Sequence, residues 1–176
     1  MEPATYVKKV AVVGPESTGK STLSAALADH YQTVWAPEYA RGYLDQLMIP
    51  YDQRDLIKIA HGQLRLEDEW AMSAKGLLIC DTNLVVIKIW SEFKFGECNE
   101  EIIKKMQSRK YDLHLLTDID LPWEPDPLRE HPDKRQEIFK LYEAELKMQN
   151  VPYTIIRGRD DQRLSSSIQA VDKLLS

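Results

Sequence analysis

Two hydrophobic periods take turns along this chain and divide it into strand–helix repeats. Val7 to Val13 contains Val10-Ala11-Val12-Val13, an apolar, mostly β-branched run of buried-strand type. Ser21 to Tyr31 follows with good helix formers and with Leu23 and Leu27 four apart, one stripe of a helix. Thr33 to Ala36 reads as a second strand closed by Pro37, and Glu38 to Leu47 as a helix that Pro50 breaks. Asp52 caps a longer helix, Gln53 to about Ala74, in which Leu56, Ile59, Ala60, Gln63 and Leu64 keep the three-to-four spacing. Gly76 ends it, and Leu77-Leu78-Ile79-Cys80 is a third strand that delivers Asp81 at its C-terminal end.

The second half repeats the pattern. Leu84 to Phe95 is helix-like, with Val85, Ile89, Trp90 and Phe93 on repeating faces; the Trp90 and Phe93 pair reads as core. Gly96 stops that helix, and Asn99 caps Glu100 to Arg109, acidic in its first turn and basic in its last. Tyr111 to Thr117 is a fourth strand, and Asp118 to Pro132 is a loop holding four prolines. A helix opens at Pro132 or Asp133 and runs to about Gln149; Tyr153 to Ile156 is a fifth strand; Gly158 turns the chain into a last helix from Asp160 or Asp161 to Leu175. This order predicts one α/β domain over residues 1–176: a P-loop type fold with a five-stranded, mostly parallel sheet, helices on both faces and a lid segment at about 118–135. In such sheets ligands bind off the carboxyl ends of the strands. The polar residues after each strand should therefore converge on one cleft: Glu16 to Ser21, Glu38 and Arg41, Asp81 to Asn83, Asp118 to Arg129, and Arg157 to Arg163.

The first of those turns carries the clearest chemistry. Gly14-Pro15-Glu16-Ser17-Thr18-Gly19-Lys20-Ser21 satisfies G-x-x-x-x-G-K-[ST], between a strand and a helix N-terminus where the pattern works. A loop with glycine at both ends can turn its N–H groups around a phosphate, and the helix end adds unpaired donors and a positive dipole. Gly14, Glu16, Ser17, Thr18, Gly19, Lys20, Ser21 and Thr22 are thus the candidates for binding ATP. Lys20 can reach the β- and γ-phosphates, and the Ser21 hydroxyl can ligate Mg²⁺. Asp81 follows four apolar residues, as an acid opposite the P-loop hydroxyl does; it would hold Mg²⁺ with Ser21, or else cap the Leu84 helix, a task open also to Thr82 or Asn83.

The remaining candidates surround this pair. Glu38, in Pro37-Glu38-Tyr39-Ala40-Arg41, can take a proton from an attacking hydroxyl or bind sugar hydroxyls, and Arg41 can clamp an anion. Whether Glu38 or Asp81 is the general base stays open at this level. Arg129 and Arg135, on a segment above a phosphate site, would neutralise charge developing in phosphoryl transfer, while closure excludes water. Trp123 offers a flat face to a cationic or aromatic ring. Arg157, Gly158 and Arg163 can border an adenine ring.

Composition narrows the partners. A net charge of -5 offers no broad cationic surface for nucleic acid. No apolar run reaches the ~18 residues of a membrane span, and no signal peptide is visible, so the cytoplasm is the expected location. Cys80 and Cys98 lack metal spacing and are expected to be free thiols, and His30, His61, His114 and His131 are scattered, which argues for structural roles and against zinc. The oligomeric state is not written in this pattern.

At these residues the chain resembles the ribosylnicotinamide kinase domain at the C-terminal end of the bifunctional NadR proteins. The resemblance is carried by Gly14 to Leu23, Pro37 to Arg41, Cys80 to Asn83, Trp90 to Phe93, and Tyr111 to Leu113 with Thr117 to Arg129, in order over nearly the whole chain. The narrowest part is Asp118-x-Asp120-x-Pro122-Trp123-x-x-Asp126-x-x-Arg129. It implies an ATP- and Mg²⁺-dependent transfer to the ribose 5′-hydroxyl of nicotinamide riboside, giving nicotinamide mononucleotide for NAD salvage. Glu38, Tyr39, Arg41, Asn83, Asp118, Asp120 and Trp123 are then the residues expected at the nucleoside-like acceptor. The His-x-Gly-His type signature of the family's adenylyltransferase domain is not in this sequence, so that activity is not expected here. The alternatives are a P-loop ATPase or a kinase of another nucleoside-like acceptor; a GTP switch would need an Asn-Lys-x-Asp-like base-reading segment, which the sequence lacks.

Overall fold

A computed structural model describes residues 6–176. In chain order the elements are β1 (Lys8–Val13), α1 (Lys20–His30), β2 (Val34–Ala36), α2 (Tyr39–Asp45), α3 (Gln53–Ala71), β3 (Leu77–Asp81), α4 (Leu84–Phe95), α5 (Glu100–Ser108), β4 (Leu113–Thr117), α6 (Arg135–Met148), β5 (Tyr153–Ile156) and α7 (Asp161–Leu175). The strands form one sheet in the order β2-β3-β1-β4-β5, and each of its four pairings is parallel. After β3 the chain crosses β1 to build the other half of the sheet. The carboxyl ends of β1, β3 and β4 therefore meet at the topological switch point, where a crevice opens.

The central strands are largely apolar because both faces are covered, and their period of two sorts the core. Ala11 and Val13 face one layer, packed with Leu56, Ile59 and Leu64 of α3, Leu84, Val85 and Ile89 of α4, and Ile138, Tyr142 and Leu146 of α6. Val10 and Val12 face the other, with Leu23 and Leu27 of α1 and Val171 of α7. Asp52 closes a capping box on α3, accepting from the Arg54 and Asp55 N–H groups while Asp55 reaches back to the Asp52 N–H. Such a cap contributes roughly 1 kcal/mol.

The boundaries differ from expectation where side chains find other work. The fourth strand starts at Leu113, not Tyr111, because the Tyr111 hydroxyl turns to the Glu67 carboxylate under the sheet. The helix expected from Pro132 or Asp133 begins at Arg135, since residues 130 and 131 are drawn to the P-loop. The long helix stops at Ala71 rather than Ala74 and gives way to a turn. Cys80 is buried, Cys98 is half-buried, and both are free. Among the described residues no helix is long and apolar enough to cross a membrane.

Glu67 is wholly buried, and burial pushes its carboxyl up to about 7 from 4.5, against the pull of the Tyr111 hydroxyl. A carboxyl raised in the fold contributes stability that is complete below the unfolded value and fades as pH rises through about 7. The Glu67→Gln variant, which cannot ionise, should therefore gain on the parent protein between pH 4.5 and pH 8, by at most on the order of 3 kcal/mol. Paired thermal unfolding at the two pH values checks this; a difference that does not change with pH would refute it.

Candidate active site

The loop between β1 and α1 is set by a close approach of backbone to backbone. A Cβ on Gly14, whose φ is +147°, would stand 2.4 Å from the Thr117 hydroxyl oxygen and 2.8 Å from the Thr117 carbonyl oxygen. Only glycine lets the loop lie this close to the end of β4. The Thr117 and Thr18 hydroxyls share a hydrogen bond of 2.7 Å, and Thr18 also donates to the Pro15 carbonyl. Ser17 (φ 57°) and Gly19 (φ 75°) take left-handed conformations, which turn successive N–H groups toward the concave side. The Lys20 ammonium folds back to donate to the Pro15 carbonyl at 2.8 Å. Its burial lowers its pKa, against the attraction of Glu38, Asp81 and Glu16.

Asp81 is the last residue of β3 and is 1% exposed. Its Oδ2 accepts the Ser21 hydroxyl at 2.5 Å, and its buried Oδ1 has no hydrogen-bond partner among the described residues. Burial, and the Glu38 charge nearby, raise its carboxyl to about 6 from 3.8. Thr82 follows at φ 71°, a strained conformation for a β-branched residue that costs about 1–3 kcal/mol. That kink aims the Asp81 carboxylate at α1 and sends the chain directly into α4, whose first turn is capped by Asn83 accepting from the Val85 N–H. The two hard oxygens of Ser21 and Asp81, one of them without a protein donor, make a fitting half-shell for a small divalent cation.

One cavity of about 770 Å³ runs along the carboxyl edge of the sheet. Its first lobe is the P-loop, from Gly14 through Thr22, bordered by Leu121, Pro122, Arg159 and Arg163. Its second lobe lies between Glu38, Ala40, Arg41 and Leu44 of the second crossover, Val86, Ile89, Trp90 and Phe93 of α4, Leu128 to His131 of the segment before α6, and Ile138 and Tyr142 of α6. A nucleotide end and a second, partly aromatic chamber are thus continuous.

The candidate residues divide by where their side chains are engaged. Lys20, Ser21, Thr22, Glu38, Arg41, Arg129 and Arg163 line the cavity, and Arg41 also pairs with Asp126 at 2.9 Å across the second lobe. Others are engaged elsewhere. Asn83 is 1% exposed, with one end of its amide capping α4 and the other against His114, so it has nothing to offer an acceptor. Tyr39 lies over Gly62 of α3, where a Cβ would meet the ring at 2.1 Å, and does not line the cavity. The Asp118 carboxylate is held by Arg157 at 2.8 Å and the Asp120 carboxylate by Arg163 at 2.5 Å and the Gly158 N–H at 2.6 Å. These groups brace β4 against β5 rather than face an acceptor; of them only Arg163 lines the cavity. The Trp123 ring packs 5.6 Å from the Arg135 guanidinium, and Arg135 donates to the Ser17 and Leu121 carbonyls instead of reaching into the cavity.

The second lobe contains residues that sequence reasoning placed elsewhere or passed over. Trp90 and Phe93 pack on the core as expected, yet they are only partly buried and also form the chamber wall. His131, expected to be structural, meets Phe93 edge-on at 4.8 Å and lines the same wall. Tyr142 is 3% exposed at the chamber floor, its hydroxyl pKa raised by burial and by the charges of Glu38 and Glu16. For Trp90 and Phe93 the local signal was aromatic residues on the helix that follows Asp81; His131 and Tyr142, before and within α6, carried none.

A family model described as an AAA domain matches residues 9–163. The chain is 27% identical over 179 residues to the trifunctional NAD biosynthesis/regulator protein NadR of Escherichia coli (strain K12), covering 97% of this chain and 43% of that protein. The protein of the same name from Salmonella typhimurium is 27% identical with the same coverage. The chain thus spans less than half the length of these relatives. A crystal structure of NadR protein in complex with NAD and AMP-PNP is similar with a TM-score of 0.82 at 21% identity, over 96% of this chain and 50% of that chain. Thymidylate kinase from Ehrlichia chaffeensis is similar with a TM-score of 0.68 at 15% identity, over 97% and 100%. At these identities the likeness is one of fold, that of the P-loop kinases.

Gly14→Ala should force the loop off β4. We expect a loss of about 1–3 kcal/mol in stability and at least tenfold weaker binding of a nucleoside triphosphate, as donors set off by ~1 Å no longer converge. Thermal unfolding and a nucleotide titration measure both; a variant that binds like the parent would show that the approach to Thr117 does not shape the loop.

Proposed function

This chain belongs to the AAA domain family, and from that premise we propose that it is an ATP- and Mg²⁺-dependent kinase that phosphorylates nicotinamide riboside on its ribose 5′-hydroxyl. The observation that carries the reading is the continuity of the P-loop with a second chamber holding a carboxylate, a guanidinium and aromatic walls. A nucleotide hydrolase has no use for a second chamber; a kinase needs one for its alcohol. The NadR relatives are named for NAD biosynthesis, and the solved NadR structures include one in complex with NR, the same class of acceptor. The product, nicotinamide mononucleotide, would enter NAD salvage. The chemistry is that of the cytoplasm, where ATP is supplied and where Cys80 and Cys98 stay reduced.

The acceptor would lie with its pyridinium ring between Trp90, Phe93 and His131, whose aromatic faces suit a flat cation. Its ribose would point toward Glu38 and Arg41. Glu38 is the general base in this reading, because it faces the cavity, whereas Asp81 is spent on Ser21 beneath the loop. Ser21 and Asp81 would hold Mg²⁺, which supplies charge neutralisation at the phosphates. Lys20 would leave the Pro15 carbonyl for the phosphates it is built to meet, and Arg129 would lie over the group in transfer. The segment from 118 to 135 serves as the lid that keeps water from competing with the alcohol.

Lys20→Ala should lower turnover roughly 10²–10³-fold with the thermal unfolding profile kept. Glu38→Gln should cost about 10²–10⁴-fold in kcat with ATP affinity little changed, which separates the base from the nucleotide site. The decisive measurement is ADP release from ATP and Mg²⁺ across a panel of nucleosides. Release that depends on nicotinamide riboside is expected; release at the same rate without any nucleoside would leave an ATPase.

A further inference from the structure

Glu16 carries the wrong charge for the loop it sits in. It occupies the third position of a segment that collects backbone N–H donors around anions, where a carboxylate repels the phosphates that the rest of the loop attracts. The structure gives it a different occupation. Its Oε2 accepts the backbone N–H of Glu130 and of His131, each at 3.0 Å, and its Oε1 lies 3.2 Å from the Glu130 N–H. The neighbouring Ser17 hydroxyl accepts the Glu124 N–H at 2.9 Å, and the Ser17 carbonyl accepts Arg135 at 3.1 Å. Two consecutive P-loop residues thus anchor the lid segment at three places along its length.

What is anchored matters as much. Arg129 immediately precedes the pinned pair, its guanidinium donates to the Glu124 carbonyl, and its charge is felt at Lys20. On the far side the Glu130 carboxylate accepts from Tyr51 at 2.8 Å and from Lys94 at 2.8 Å, while Trp90 donates to the same Tyr51 oxygen at 2.9 Å. The Glu130–His131 step is therefore clamped between the P-loop by its backbone and the acceptor wall by its side chains. A charge-assisted bond to two N–H groups is stronger than a neutral one, which accounts for an acid at this position despite the phosphates.

We propose that Glu16 is a positioning residue for phosphoryl transfer: its carboxylate fixes the Glu130–His131 backbone so that Arg129 lies over the phosphates and the lid closes the acceptor chamber to water. The assignment rests on the kinase reading and deepens it. It also reverses the role first expected for Glu16, which was to bind the nucleotide. A nucleotide-binding residue loses ATP affinity when it is removed; a lid anchor with an unfavourable charge does not.

The test compares the protein with its Glu16→Ala and Glu16→Gln variants, after thermal unfolding has shown that each folds. Hydrogen exchange of the ligand-free proteins should show the lid amides of Glu130 and His131 opening about tenfold faster in Glu16→Ala, with Glu16→Gln between. The ATP dissociation constant should stay within about threefold of the parent or become tighter. With nicotinamide riboside, kcat should fall by about 10²-fold in Glu16→Ala, and the share of ADP released without phosphorylated product should rise. Lid exchange equal to the parent, or a tenfold loss of ATP affinity, would overturn the assignment. If the parent protein itself does not phosphorylate nicotinamide riboside, the acceptor is wrong, and the exchange and affinity measurements still decide for or against Glu16.

Discussion

A single hydrogen bond, from the Ser21 hydroxyl to the Asp81 carboxylate, ties the start of α1 to the end of β3 and sets the frame for the rest. It can form only because β1 and β3 are parallel neighbours with Val12 paired to Asp81, which brings the P-loop turn and the acid to the same height. The bond leaves one carboxylate oxygen buried without a donor, an unfavourable arrangement for a protein by itself. Burial and the nearby Glu38 charge raise that carboxyl to about 6. The strained Thr82 beside it belongs to the same design, since strain persists where the surroundings over-determine it.

The sheet supplies rigidity for that arrangement. Its two faces bury separate sets of side chains, so the strand ends are held from both sides while the loops beyond them remain open to ligand. At the far end of the cleft the Asp118, Asp120, Arg157 and Arg163 network joins the tips of β4 and β5, fixing the border of the nucleotide lobe.

How much of this can be read from the amino-acid order follows from how local each feature is. The P-loop, the strand–helix alternation and Asp81 are all visible because each depends on residues within one turn or one strand. Glu38 and Arg41 were visible for the same reason, standing just after β2. The second chamber was not, because its wall is shared: Trp90 and Phe93 obey helical spacing like any core pair, and only the cavity bordered by α4 and α6 makes part of each a surface. Asp118 and Asp120 misled in the opposite sense. Their place just after β4, in the segment that carries the family resemblance, suggested ligand contacts, but their partners Arg157 and Arg163 lie about forty residues further on, a pairing that no local pattern announces. Trp123 was claimed for an acceptor ring and is instead taken by Arg135.

Helix α4 starts two residues after Thr82, and four of its side chains line the second chamber, so one rigid rod joins the end of β3 to that wall. Its first turn is held by Asn83, whose side chain accepts from the Val85 N–H. Val86, Ile89, Trp90 and Phe93, by contrast, line the second chamber. Substitution at Val86 or Ile89 would reshape that chamber while leaving the Ser21–Asp81 contact alone, so one scaffold can carry differently shaped chambers beside the same loop.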